Sequence, residues 1–274
     1  MKHQKSFPAG IRRSALVIAA LALGAASLPV VAAEDWDIVG IKLGMTEAEV
    51  RQKLKEYAPK ANVQVFNSGY SYSDGVNSFQ TPPFMNALQA KPGDVSKGAE
   101  NGVKVWMSGP VGEARVIAIA RKFQDFSTTA PGKAQLAQSL EQKYGKPAGL
   151  AAGDGEPIWE QAGKPTCMRA NNGNGLRLHV GPFGSMAQNL SDTQNIESQL
   201  EKMRSKSPGM PADLSTCGAI VFYNYLGDPV ATFHAGIIDV GAMVATERAR
   251  NKWVDELEAE AVRKRQGQSQ TPRL

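Results

Sequence analysis

Ile41-Lys42-Leu43-Gly44-Met45-Thr46-Glu47-Ala48-Glu49-Val50 is the stretch from which the rest of the chain is read. Thr46 and Glu49 make a capping box: the Thr46 hydroxyl accepts from the Glu49 amide, and the Glu49 carboxylate reaches back to the Thr46 amide. Met45 and Val50 hold the two staple positions on either side. Val50, Leu54 and Tyr57 then recur at helical spacing, with Arg51, Lys53, Lys55 and Glu56 on the other side, until Pro59 ends the helix. Just upstream, residues 36–43 alternate Ile38, Gly40 and Lys42 with Val39, Ile41 and Leu43, which predicts a short strand. A helix with one apolar stripe needs a partner surface, and a sheet with a covered face supplies it.

Working downstream, residues 63–72 alternate as a strand, and the pattern then breaks over 73–102. Gly75, Pro82, Pro83, Pro92, Gly93, Gly98 and Gly102 read as loop or insertion, with one helical turn where Phe84 and Leu88 stand four apart. Residues 103–108 and 113–123 follow as a hairpin joined at Gly109-Pro110. The order then restarts. Pro131 stands at a first helical position, Leu136, Leu140 and Tyr144 repeat every four residues, and Gly145 with Pro147 closes the helix. Strands are predicted at 157–161, 175–181, 217–226 and 229–240, the last two joined by Gly227-Asp228. A modest helix carries Ile196, Leu200 and Met203, and a final one covers 242–265 with Ala249, Trp253, Leu257 and Ala261 on its stripe.

The expected fold is α+β: two helix-plus-antiparallel-meander units, or one extended antiparallel sheet with helices on one face. The units are placed at residues 34–126, containing the long loop 73–102, and 127–266, containing the C-terminal helix. Residues 267–274 read as a flexible tail.

With 42% hydrophobic and 21% charged residues among 274, the chain has material for a globular core, which excludes disordered, collagen-like and polytopic membrane classes. Residues 1–33 have the parts of a secretory signal: basic Lys2, Lys5, Arg12 and Arg13, an apolar run over 15–26, and Val31-Ala32-Ala33 before Glu34. Cleavage after Ala33 is expected. An uncleaved anchor competes, since residues 15–33 carry no charge and approach the ~20 residues of a spanning helix. Gly24, Ser27 and Pro29 favour processing. The product would be periplasmic or secreted, with no stable membrane span after signal cleavage. Removing the four basic leader residues leaves 27 Lys and Arg against 26 acidic residues, so no nucleic-acid footprint is expected. In an oxidising compartment Cys167 and Cys217 are expected to form a disulfide, the alternative being two separate buried thiols.

The run from Ile41 to Val50, with its Gly-Met-Thr followed by Glu-Val at helical spacing, resembles the opening helix of the small outer-membrane assembly lipoprotein family, SmpA/BamE. That family shares a helix-plus-antiparallel-sheet fold with β-lactamase inhibitor proteins. Lys143-Tyr144-Gly145-Lys146-Pro147 is similar to the way such helices end. The match covers about one helix in each half. It implies a fold, possible in tandem, used for binding other proteins of the bacterial envelope rather than for catalysis.

The search for chemistry gives little. His179 shares a strand face with Arg177, and His234 with Thr232 and Gly236, which reads as ordinary sheet surface. Cys167, Cys217, His179 and His234 lack the close pairs of a zinc site, and Asp154-Gly155-Glu156 is too short for a calcium loop. Gly184-Ser185-Met186-Ala187 is no nucleophile elbow, and Asn171-Asn172-Gly173-Asn174-Gly175 is turn chemistry rather than a phosphate loop. No catalytic residue, metal or cofactor is assigned. The loop aromatics Tyr70, Tyr72, Phe79 and Phe84, with Met85, are the candidate contact surface. The expected function is an exported, non-catalytic protein-binding module whose partner is an envelope or secreted protein. An inhibitor-like secreted protein and an envelope hydrolase are the alternatives.

Overall fold

Strand after strand in this chain carries apolar side chains in near-continuous runs, and their burial on two sides organises the molecule. The computed structural model describes residues 35–91, 100–124, 130–150, 156–171, 176–178, 180–207 and 209–268. In chain order they form β1 (Asp37–Ile38), β2 (Ile41–Lys42), α1 (Glu47–Tyr57), β3 (Val63–Ser68), β4 (Ser71–Ser73), β5 (Ser78–Gln80), β6 (Phe84–Ala90), β7 (Glu100–Met107) and β8 (Val116–Gln124). Then come α2 (Lys133–Tyr144), β9 (Gly149–Leu150), β10 (Pro157–Glu160), β11 (Arg169–Asn171), β12 (Leu176–Leu178), α3 (Pro182–Asn189) and α4 (Ile196–Arg204). A 3-10 turn (Leu214–Thr216), β13 (Ala219–Leu226), β14 (Thr232–Asp239) and α5 (Val240–Gln268) complete the order. Among the described residues no helix is long and apolar enough to cross a membrane.

The fold is α+β around one eight-stranded antiparallel sheet in the order β3-β6-β7-β8-β14-β13-β10-β9. Helix followed by strands is traversed twice, α1 before the first four and α2 before the last four. The two runs meet where β8 pairs with β14, from Gln124 opposite Thr232 to Ala118 opposite Ile238. Of the two architectures expected from the sequence, the single extended antiparallel sheet is the one formed.

Helices cover both faces, not one. On the first face Val50 and Leu54 of α1 and Leu140 and Tyr144 of α2 pack with Val105, Ile119, Val221 and Ile237. On the second, Phe183 of α3, Leu200 of α4 and Val244 of α5 pack with Ala118, Ile158, Phe222 and Ile238. β13 supplies Val221 and Tyr223 to one core and Ile220 and Phe222 to the other. Such a run has no polar face, so a single covered side leaves apolar surface in water at about 25 cal/mol per Å2. The second face is covered by α3, a helix not anticipated, although Phe183, Met186 and Ala187 stand at helical spacing.

Local expectations fare unevenly for identifiable reasons. The capping box is present: the Thr46 amide donates to Glu49 Oε2 at 2.7 Å, and the Glu49 amide donates to Thr46 Oγ1 at 3.4 Å. α2 starts at Lys133, with Pro131 outside it, because the Pro131 carbonyl accepts from the Val230 amide at 2.8 Å. The turn expected at Phe84 and Leu88 is instead β6, a strand within the sheet. A spacing of four is also even, and Pro82-Pro83 leads into extended chain. β4 and β5 form a small hairpin whose turn is tied by the Asp74 carboxylate, which accepts from the Val76 and Asn77 amides. β12 pairs with β11 in a separate ribbon instead of joining the large sheet. The leader 1–33 lies outside the described residues.

Cys167 and Cys217 are bonded, 5.8 Å apart at Cα and 50 residues apart in sequence, within the second core. Loop-closure entropy assigns such a link about 4 kcal/mol. Replacing both by Ser is expected to lower the urea unfolding free energy by about 2–4 kcal/mol; no change would mean that the link adds nothing to stability. Gly236 sits where a Cβ would lie 2.5 Å from the Phe222 ring, so Gly236→Ala is expected to cost about 1–3 kcal/mol, and less in a Phe222→Leu background.

Candidate functional site

The aromatic residues singled out in the sequence fall into two groups. Tyr70 stacks on Phe84 at 5.8 Å between centroids; Phe84 meets the Trp253 edge at 6.2 Å and lies under the Arg250 guanidinium at 5.3 Å. Met85 packs against the first core. Tyr72 and Phe79 are a cross-strand pair in the β4–β5 hairpin, 5.4 Å apart. This hairpin lies along α5, where Tyr72 and Phe79 line a groove with Leu257 and Ala261. Of the α5 stripe, Trp253 therefore meets Phe84 at the start of β6, and Leu257 meets the hairpin. Beyond Arg250 no residue of α5 is fully buried, and its surface is laced with pairs such as Lys264–Glu260 at 2.6 Å. Hairpin and helix form an arm with Phe79 38% exposed and Val76, at its tip, 72% exposed.

A cavity of about 350 Å3 opens at the base of this arm, between residues 68–70, the sheet, the segment 192–196 and α5. Its charged groups are already engaged. Lys104, with a side chain only 4% exposed, donates to Asp192 Oδ1 at 2.8 Å, and Trp106 Nε1 donates to the same oxygen at 2.7 Å. Arg250 donates from Nε to the Gly109 carbonyl at 2.7 Å and from Nη2 to the Met107 carbonyl at 2.9 Å. Burial draws its pKa down, while Tyr70, Asp192 and Glu247 oppose the shift. Both oxygens of Glu247 accept from the first turn of α4, from the Ile196 amide at 3.1 Å and the Glu197 amide at 2.9 Å. They supply across space the cap that Asn195 does not provide.

Two irregularities in the sheet border the cavity. Phe66 is opposite Ala87 and Asn67 opposite Met85, which leaves Asn86 as an extra residue in β6. Trp106 is opposite Ala118 and Met107 opposite Val116, which leaves Ile117 extra in β8. Both extra residues line the cavity. A bulge re-aims its side chain, and here it turns Asn86 into the space. Neither could be seen in the sequence, because a bulge depends on the register of a partner strand.

His234 is not ordinary sheet surface. α3 covers this part of β14, and the half-buried imidazole lines a cleft of about 240 Å3 with Glu156, Ser185, Gln188 and Asn224. Asn224 Nδ2 donates to Glu156 Oε1. Burial draws the imidazole pKa down, Glu156 pushes it up and Lys122 lowers it further. His179 lies outside the described residues. Among those described, no group of three or more His, Cys, Asp and Glu is placed to hold a metal ion, and both cysteines are consumed by their bond.

Compared with protein-family models, curated proteins and solved structures, the chain matches none.

Asp192→Ala leaves the Lys104 ammonium buried and unpaired, and is expected to cost about 3 kcal/mol in chemical denaturation. The double variant with Lys104→Met should be less damaged than that single change; equal damage would mean that the pair is uncoupled. For His234, the folded-state pKa lies below the unfolded one, so protonation favours the unfolded chain as pH falls through the unfolded value. His234→Gln is expected to lose less stability than the parent between about pH 7 and about pH 5, and identical losses would contradict the burial of this ring.

Proposed function

We propose that the protein is an exported, non-catalytic binding module of the cell envelope that engages another protein through the arm formed by the β4–β5 hairpin and the C-terminal half of α5. The observation that carries this reading is the contrast in burial along α5. Its first turns are sealed into the second core, whereas beyond Arg250 the helix is covered only in part, by Phe84 at the start of β6 and by the hairpin. Val76 and Phe79 present apolar surface at the hairpin, beside a helix carrying both signs of charge. An apolar centre with a charged surround is the anatomy of a non-obligate protein interface. The expected partner therefore offers an apolar pocket with a polar rim.

Export is supported by the pattern of residues 1–33 and by the Cys167–Cys217 bond, a feature that persists in oxidising compartments. The likeness of residues 41–50 to envelope assembly lipoproteins points the same way.

A second reading, hydrolysis, draws on the His234 cleft, where a half-buried imidazole, the Glu156 carboxylate and the Ser185 hydroxyl line one space. Turnover of a chromogenic ester that is lost in both His234→Ala and Ser185→Ala would favour it; turnover unaffected by either variant, or none at all, would remove it.

The binding reading is tested with a photo-reactive amino acid at position 79, and at Leu226, which is more exposed still, as a control on the β13–β14 hairpin. In cells, position 79 is expected to give one discrete protein adduct, lost when Val76→Asp is added, and position 226 none. Absence of an adduct at 79, or the same adduct at both positions, contradicts the assignment.

A further inference from the structure

We propose that the cavity at the base of the arm is a binding site for a neutral sugar ring. The proposal starts from Asn86. This side chain is only 8% exposed, lines the cavity, and its carboxamide has no hydrogen-bond partner among the described residues. The amide opens into the cavity rather than being sealed from it, since the enclosed side-chain polar atom that lacks a partner among the described residues is Ser207 Oγ. The bulge that turns it inward is one of two bordering the same space, and bulges concentrate where a side chain is aimed at a ligand.

The chemistry of the walls selects the ligand. Asp192 is neutralised by Lys104, and Glu247 and Arg250, one of each sign, are fixed by backbone groups, so these four side chains carry no net charge to select an ionic ligand. What remains are neutral donors and acceptors, including Asn86, Ser68, Gln194 and Asn251, beside the apolar side chains of Ile117 and Met243. A carboxamide offers an acceptor and a donor side by side in one plane, which matches two adjacent hydroxyls. A pyranose has such hydroxyl pairs around its edge and a C–H face that suits these apolar side chains. The volume, about 350 Å3, lies at the small end of ligand sites and suits one ring or two. Occupancy would satisfy Asn86 without disturbing the ion pairs around it.

The test is saturation-transfer NMR and calorimetry on the full mature chain with glucose and N-acetylglucosamine, set against glucuronate and glucosamine as anionic and cationic counterparts. At least one neutral sugar is expected to bind at about 1 mM or tighter, with either charged analogue at least about tenfold weaker. Asn86→Leu, which removes the unpartnered amide, should weaken the neutral sugar by about tenfold or more while leaving thermal stability unchanged or raised. Gln194→Ala, at the cavity wall on a non-helical segment, provides a second variant should Asn86→Leu fold poorly, and should also weaken binding. No binding of either neutral sugar at about 10 mM, equal binding of the charged analogues, or affinity unchanged in the folded variants would overturn the proposal.

Discussion

Antiparallel pairing of β8 with β14 is the joint on which the rest of the molecule hangs. Each strand is the last of a run of four, and seven residue pairs between Gln124–Thr232 and Ala118–Ile238 turn two four-stranded runs into one sheet. The joint is interior, and from 118 to 120 and from 235 to 238 its side chains are buried on both faces: Ile119 and Ile237 point to the first core, and Ala118 and Ile238 to the second. A sheet apolar on both sides requires two helical layers, which α1 and α2 supply on one side and α3, α4 and the start of α5 on the other. Across the neighbouring β13–β14 pair Gly236 leaves room for the Phe222 ring, and the Cys167–Cys217 bond holds the second layer's connections to the start of β13.

Features with a local physical cause were legible in the sequence. The Thr46–Glu49 box needs only four residues, and the hairpins closing at Gly109-Pro110 and Gly227-Asp228 need only their turns. What escaped depends on distant partners. β6 hides behind Pro82-Pro83, and its Phe84–Leu88 spacing fits both helix and strand. α3 is short and begins at a glycine without a side-chain cap, so nothing marks its start except Pro182. Coverage of the second face was readable in principle from the apolar run Ala219–Tyr223 that opens β13, whose inner and outer positions are both hydrophobic.

The candidate sites divide along the same line. Aromatic side chains between 70 and 85 were visible as a group, but their division into a buried footing and an exposed tip follows from α5 lying across them. The burial of His234 follows from α3, and the inward turn of Asn86 from a bulge against β3. Tyr70 belongs to both regions of interest: it lines the cavity and, through Phe84, touches the Trp253 end of the arm. Cavity and arm therefore share a wall, while the sheet behind them acts as a frame with little freedom to move, since its interior strands are packed from both sides.

Hydrogen exchange resolved to single amides tests this architecture most directly. If the β8–β14 joint unites the sheet, amides of 118–124 and 232–238 exchange only through global unfolding, with the same free energy, and the arm beyond Arg250 opens far more readily. Exchange of the first four strands and the last four at two different free energies, with the joint no better protected than β3 or β9 at the edges, would contradict it.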